Sequence, residues 1–241
     1  GTLSGVTDLA VANGGGVTLS ATGQSGSRVG VFSFASVVVD GRAVSDGSVT
    51  ATMTLNTGTT LLAETVGVAY GSMVVNGVVN VNASQLNVTS DGSFDGKGRS
   101  GYTSTLGPGT PATSGCTWNT GNSGRDKAAS HGGVGGGASG GCAYGSTFFP
   151  STEGSSGYGG RGGAALRLSV TGELRLDGTI DMDASIASTD WSGGSGGSVW
   201  ITAGVLSGSG GSVRTHGGGR NRYGDAGGGG GRIALYCGSS R

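Results

Sequence analysis

Charge is scarce in this chain: 12% of residues are Asp, Glu, Lys or Arg, and 14 basic residues balance 14 acidic ones. No basic field exists to hold a nucleic-acid backbone, so nucleic acid is not an expected partner. No apolar run approaches the roughly 20 residues that cross a bilayer as a helix. No stretch carries a sustained 3.6-residue apolar period either, so almost no helix is expected. There are two histidines, three cysteines and three prolines, and none of the His or Cys spacings matches a zinc motif. A phosphate-binding Gly-x-x-x-x-Gly-Lys-Ser/Thr loop would need a lysine that is missing here. Arg125-Asp126-Lys127 is the one dense charge cluster and carries no motif.

Glycine fills the space left by these absences, at 57 of 241 residues against a usual frequency of about 7%. Each Gly gives up more backbone freedom on folding than any other residue. The fold must repay that loss, and close backbone packing with sharp turns does so where a side chain would clash. The segments between the Gly clusters exclude a disordered low-complexity chain. Val17–Ala21, Val29–Phe34, Met73–Val81, Leu166–Val170 and Val199–Ala203 are short, rich in β-branched residues and alternate apolar with small or polar; they read as half-buried strands.

The strands recur. Val170–Leu174 followed by Gly178–Ile180 lies over Ile201–Val205 followed by Gly211–Val213, and Ile233–Leu235 begins the pattern again. A weaker copy runs from Leu86 through Phe94 to Gly96. Units of this size cannot bury an apolar face alone and must stack. The expected fold is all-β, a right-handed parallel β-helix (solenoid) with long Gly-rich loops, in which the Gly runs are coil corners, flexible surface loops or polyglycine-II-like segments packed beside the coil. One domain spans 1–241, with N-terminal coils over 1–98, a Gly- and aromatic-rich loop insertion over 99–163 and C-terminal coils over 164–241. The insertion, where Tyr102, Trp118, Tyr144, Phe148 and Phe149 gather, is an interaction surface or a packed cover. Gly1 in place of Met, and a strand-like last segment without a polar cap, suggest a module of a longer protein.

Cys116 and Cys142 bracket the most irregular stretch, so a disulfide between them is the simplest pairing, leaving Cys237 free or bonded to another chain. Asn82-Ala83-Ser84 and Asn87-Val88-Thr89 are N-glycosylation sequons. Both features point to an extracellular or cell-surface setting.

The series Ser130–Gly136, Tyr144–Ser146, Pro150, Gly154–Gly157, Gly162–Leu168, Leu176–Ile180, Gly193–Ile201, Leu206–Gly210 and Gly228–Leu235 resembles glycine-rich β-helical repeat modules of large secreted or cell-surface proteins. The resemblance covers roughly 130–237. It implies a structural or adhesive module and supplies no catalytic residue.

Candidate chemistry is thin. Asp177, Asp181 and Asp183 are the best carboxylate group, since Asp181 and Asp183 alternate with Met182 and point to one side of a strand. Two carboxylates on one face can bind calcium or act as an acid–base pair, and on a β-helix this would suit a polysaccharide lyase or hydrolase. Set against that is solvated Asp at strand ends. His131 is expected to hydrogen-bond a carbonyl and pin its Gly loop. Thr50, Thr52 and Thr54 form a Thr-x-Thr row, with hydroxyls about 6.5–7 Å apart, of the kind an ice- or surface-binding protein repeats. The primary expectation is an extracellular structural module of a fibre, sheath or adhesin, with no enzymatic activity, no required cofactor, self-association as its main partnership and carbohydrate as a further partner.

Overall fold

The computed structural model describes residues 8–12, 14–19, 30–41, 51–103, 106–110, 128–136, 141–186, 192–219 and 226–240. The strands among them are β1 Asp8–Ala12, β2 Gly16–Leu19, β3 Gly30–Asp40, β4 Ala51–Leu55, β5 Thr59–Ala69, β6 Gly71–Val75, β7 Val78–Val88, β8 Ser93–Asp95, β9 Ala165–Leu176, β10 Thr179–Asp181, β11 Ser198–Ser207, β12 Ser212–Arg214 and β13 Arg232–Ser240. No helix occurs among the described residues. Odd-numbered strands build a seven-stranded sheet in the order β1-β3-β5-β7-β9-β11-β13, and even-numbered strands a six-stranded sheet, β2 to β12. Every pairing is parallel.

The alternation seen in the sequence makes the core. On β7 the inward side chains Val79, Val81, Leu86 and Val88 are buried, while Asn80 and Asn82 between them face out half-buried. The same columns continue through Leu61 and Val66 on β5 and Leu166, Leu168 and Leu174 on β9. They meet Met53, Leu55, Met73, Val75, Phe94 and Ile180 from the six-stranded sheet in one apolar cluster. Such pairing of apolar faces supplies the main stabilisation.

Phe94, Ile180 and Val213 lie in one column, as the repeat alignment expects. The other half of that alignment is off by two before the bulge, where Val170 pairs with Ala203 and Ile201 with Leu168, and by one after it, where Leu174 pairs with Leu206. A shift of two keeps each residue on its own face, so the hydrophobic pattern alone does not resolve it. The ladder also slips between Ala203 and Val205, and between Ala83 and Leu86, leaving a bulge across the middle of the sheet.

The expected right-handed parallel β-helix is corrected by this topology. The strands form two separate parallel sheets of seven and six strands, with no strand shared between them, and they do not close a solenoid. The Gly runs are not its corners. Among the described residues positive φ, which a sharp Gly turn uses, falls at Gly14, Gly58, Gly77, Gly98, Gly107, Gly145 and Gly208, and at none of the described glycines of 132–136, 193–197 or 227–231. The runs instead form a packed block bonded segment to segment. Segment 192–197 donates from Gly193 to Ala226, from Ser195 to Ser155, from Gly196 to Gly229 and from Gly197 to Met182, and accepts from Ala129, Gly163 and Gly218. It therefore touches five other stretches of chain, where a β-strand bonds to two at most. The absent side chain permits this: a Cβ on Gly228 would lie 1.8 Å from the Gly194 oxygen, and one on Gly197 1.9 Å from that of Ala164.

Candidate functional site

Asp177, Asp181 and Asp183 each serve a neighbouring strand or turn. Asp177 accepts from Arg175 Nε at 2.7 Å and from the Ser209 amide at 2.8 Å. The pair with Arg175, more than the Ser209 bond, holds its carboxyl below the usual range. Asp181 accepts from Arg214 at 2.8 Å and from the Asp183 amide at 2.9 Å. The largely buried Asp183 accepts from the His216 amide at 2.6 Å and from its ring Nδ1. β10 ends at Asp181 and Asp183 lies beyond it; their oxygens are spent joining β10 and the turn after it to β12 and the segment that follows. Among the described residues no three His, Cys, Asp or Glu side chains gather in a way that could hold a metal ion.

His131 sits fully buried in the glycine block. Its Nδ1 donates to the Gly196 carbonyl at 2.7 Å, so Nε2 is the acceptor for the Thr152 hydroxyl at 3.0 Å. Burial, assisted by the nearby Arg232 charge, outweighs the carbonyl bond and lowers its pKa to about 4. Around it, Tyr144 OH donates to the Glu153 carbonyl, and Ser155 Oγ donates to Tyr144 OH while accepting from the Gly109 amide. Burial raises the Tyr144 phenol and, against a Gly101 amide bond and Arg161, the Glu153 carboxyl. This enclosed network holds the block together: the ring is neutral, bonded at both nitrogens and shut off from solvent.

Of the Thr row, Thr50 lies outside the described residues. Thr52 and Thr54 are on β4 with their side chains half-buried. Across the sheet Thr52 continues a hydroxyl column with Ser72, Ser93, Thr179 and Ser212, whereas the Thr54 column runs through Val74, Asp95, Asp181 and Arg214. Cys142 is held in a disulfide and Cys237 is a free, exposed thiol; Cys116 lies outside the described residues, as do Trp118 and Arg125-Asp126-Lys127. The sequon residues Asn82 and Asn87 are both on β7, the first half-buried and the second exposed.

Two surfaces stand out, the first unnoticed in the sequence and the second expected there as a strand-like end without a cap. On the outer face of the seven-stranded sheet Arg167 lies over Trp200, with its guanidinium carbon 4.1 Å from the ring centroid, and Phe149 packs at 5.3 Å. The loop carrying exposed Phe148 and Phe149 is fixed by both their amides donating to Ser146 Oγ, and by Tyr236 OH donating to the Phe148 carbonyl. Had Leu166-Arg167-Leu168 been laid over Val199-Trp200-Ile201, this pair would have been visible. The second surface is the edge at β13. Ile233 continues the Leu166–Val199 column and Leu235 the Leu168–Ile201 column, yet they are 46% and 48% exposed.

No family model, no curated protein and no solved structure matches the chain. No helix among the described residues is long and apolar enough to cross a membrane.

Proposed function

We propose that this protein is an extracellular structural or adhesive module that joins further copies of itself edge to edge through β13. The observation that carries the reading is the exposure of Ile233 and Leu235 in columns that are otherwise core. The six-stranded sheet ends at β12, one strand short, so nothing among the described residues covers them. An edge strand with open backbone groups and apolar side chains is a template for another strand. The complementary edge is on the molecule itself: β1 and β2 end the two sheets at the opposite side and run in the same parallel sense. Contact between unlike edges is heterologous, and where the rotation does not close it grows a filament. The exposed Asn87 sequon and the Cys142 disulfide support the extracellular setting.

Sedimentation and electron microscopy across a concentration series test this. The expected result is linear assemblies; a monomer at every concentration would overturn the reading.

A further inference from the structure

We propose that the outer face of the seven-stranded sheet binds an anionic polysaccharide bearing uronate carboxylates, with Arg167 as the carboxylate fork. The use of arginine across the molecule motivates this. Arg99 pairs with Asp95, Arg175 with Asp177 and Arg214 with Asp181, while Arg161 and Arg232 donate to the carbonyls of Ser100 and Tyr144. Among the described arginines only the Arg167 side chain makes no hydrogen bond or ion pair. Stacking on Trp200 holds its guanidinium in place instead. A guanidinium held by its face keeps its N–H fork available in the ring plane, and a carboxylate is the planar acceptor that matches it in bidentate fashion.

The surroundings suit a sugar. The register sets Asn80 beside Arg167 and Asn82 beside Ser169 on the same face, with Trp200 and Thr202 on the next strand and Tyr236 beyond. The Asn82 amide makes no hydrogen bond to the described residues, and Asn80 spends one N–H on Thr60 at 3.5 Å. Asn82, Ser84, Ser169 and Glu64 contribute polar groups to an open, mostly apolar depression of about 460 Å³ that Phe34 and Leu62 also line, a volume in the usual ligand range of roughly 300–1,000 Å³. Amides and hydroxyls bond sugar hydroxyls, and the exposed rings of Phe149 and Tyr236 offer apolar faces to a pyranose. The one acid of the depression, Glu64, sets a polarity: the carboxylate belongs at the Arg167 end. Parallel strands about 4.8 Å apart repeat these groups across an open face, which fits a chain rather than a single sugar.

The site does not depend on edge association, which sedimentation reports separately. The test is affinity electrophoresis and calorimetry of bacterially produced protein, free of N-glycans, against polygalacturonate and alginate, with neutral galactan as the comparison. The polyuronates are expected to retard the protein, less so as salt rises. Arg167→Lys keeps the charge and the stem but loses the fork, and should weaken binding about tenfold or more. Asn82→Asp, nearly isosteric, should weaken it by adding a like charge. Circular dichroism checks that both variants are folded. No retardation by polyuronates, equal binding of the neutral glycan, or unchanged binding in both variants would overturn the proposal.

Discussion

The imidazole of His131 stacks on the ring of Tyr144, with 4.6 Å between centroids and 30° between planes. The stack closes the glycine block at the point where His131 bonds Gly196 and Thr152. With a folded pKa of about 4 against about 6.5 for a free imidazole, the folded state holds the neutral ring. Its contribution is fully present above pH 6.5 and is lost as pH falls through 4. The difference corresponds to about 3 kcal/mol. Urea midpoints measured from pH 7 to 4 should fall across that window, and the fall should be shallower in His131→Gln, which cannot titrate.

Glycine in the block acts by what it lacks, so its positions should separate sharply on substitution. Gly228→Ala sets a Cβ 1.8 Å from a backbone oxygen, and should cost about 3 kcal/mol or prevent folding. Gly230→Ala, two residues on, meets nothing within 4 Å and should lie between neutral and about 1 kcal/mol stabilising. Thermal melts of the two variants side by side check this; equal losses would show that the block tolerates repacking.

At the β13 edge, Leu235→Lys and Ile233→Lys should abolish assembly while leaving the monomer within about 0.5 kcal/mol of its parent, because both side chains already meet solvent. Sedimentation gives the first quantity and denaturant titration the second.

The disulfide proposed between Cys116 and Cys142 would close a loop worth about 3–4 kcal/mol in chain entropy. Peptide mapping without reduction should recover the two cysteines linked. Cys237→Ser should leave that link and the melting temperature intact.

Much of the fold was legible in short-range pattern. Val79, Val81, Leu166 and Leu168 alternate with polar neighbours, and this alternation assigns both strand and face. The column Phe94–Ile180–Val213 shows in the repeat because Gly178 and Gly211 mark the same turn. The closure of the strands was not legible. Alternation is the same whether successive strands close a coil or build two sheets, and a two-residue slip such as that of Val170 costs the pattern nothing. Gly runs look alike whether they turn or pack. The difference lies in which carbonyls press on Gly228 or Gly197, and that is set by residues far away in the chain. Of the candidate residues, His131 was read for its carbonyl bond, while Arg167 and Trp200 passed as ordinary strand residues because the column uniting them rests on the register that was missed.

The crowding around segment 192–197 bears on how the molecule is made. Its partners at Ala129, Ser155, Gly218 and Gly229 are brought together only once ladders on both sides are in register, so little of this block can assemble early in folding. Acquisition of the native state is therefore expected to be slow. Once it is complete, opening any one stretch breaks bonds to several others, and the amides of Gly196 and Gly229 should be among the last to exchange with solvent deuterium.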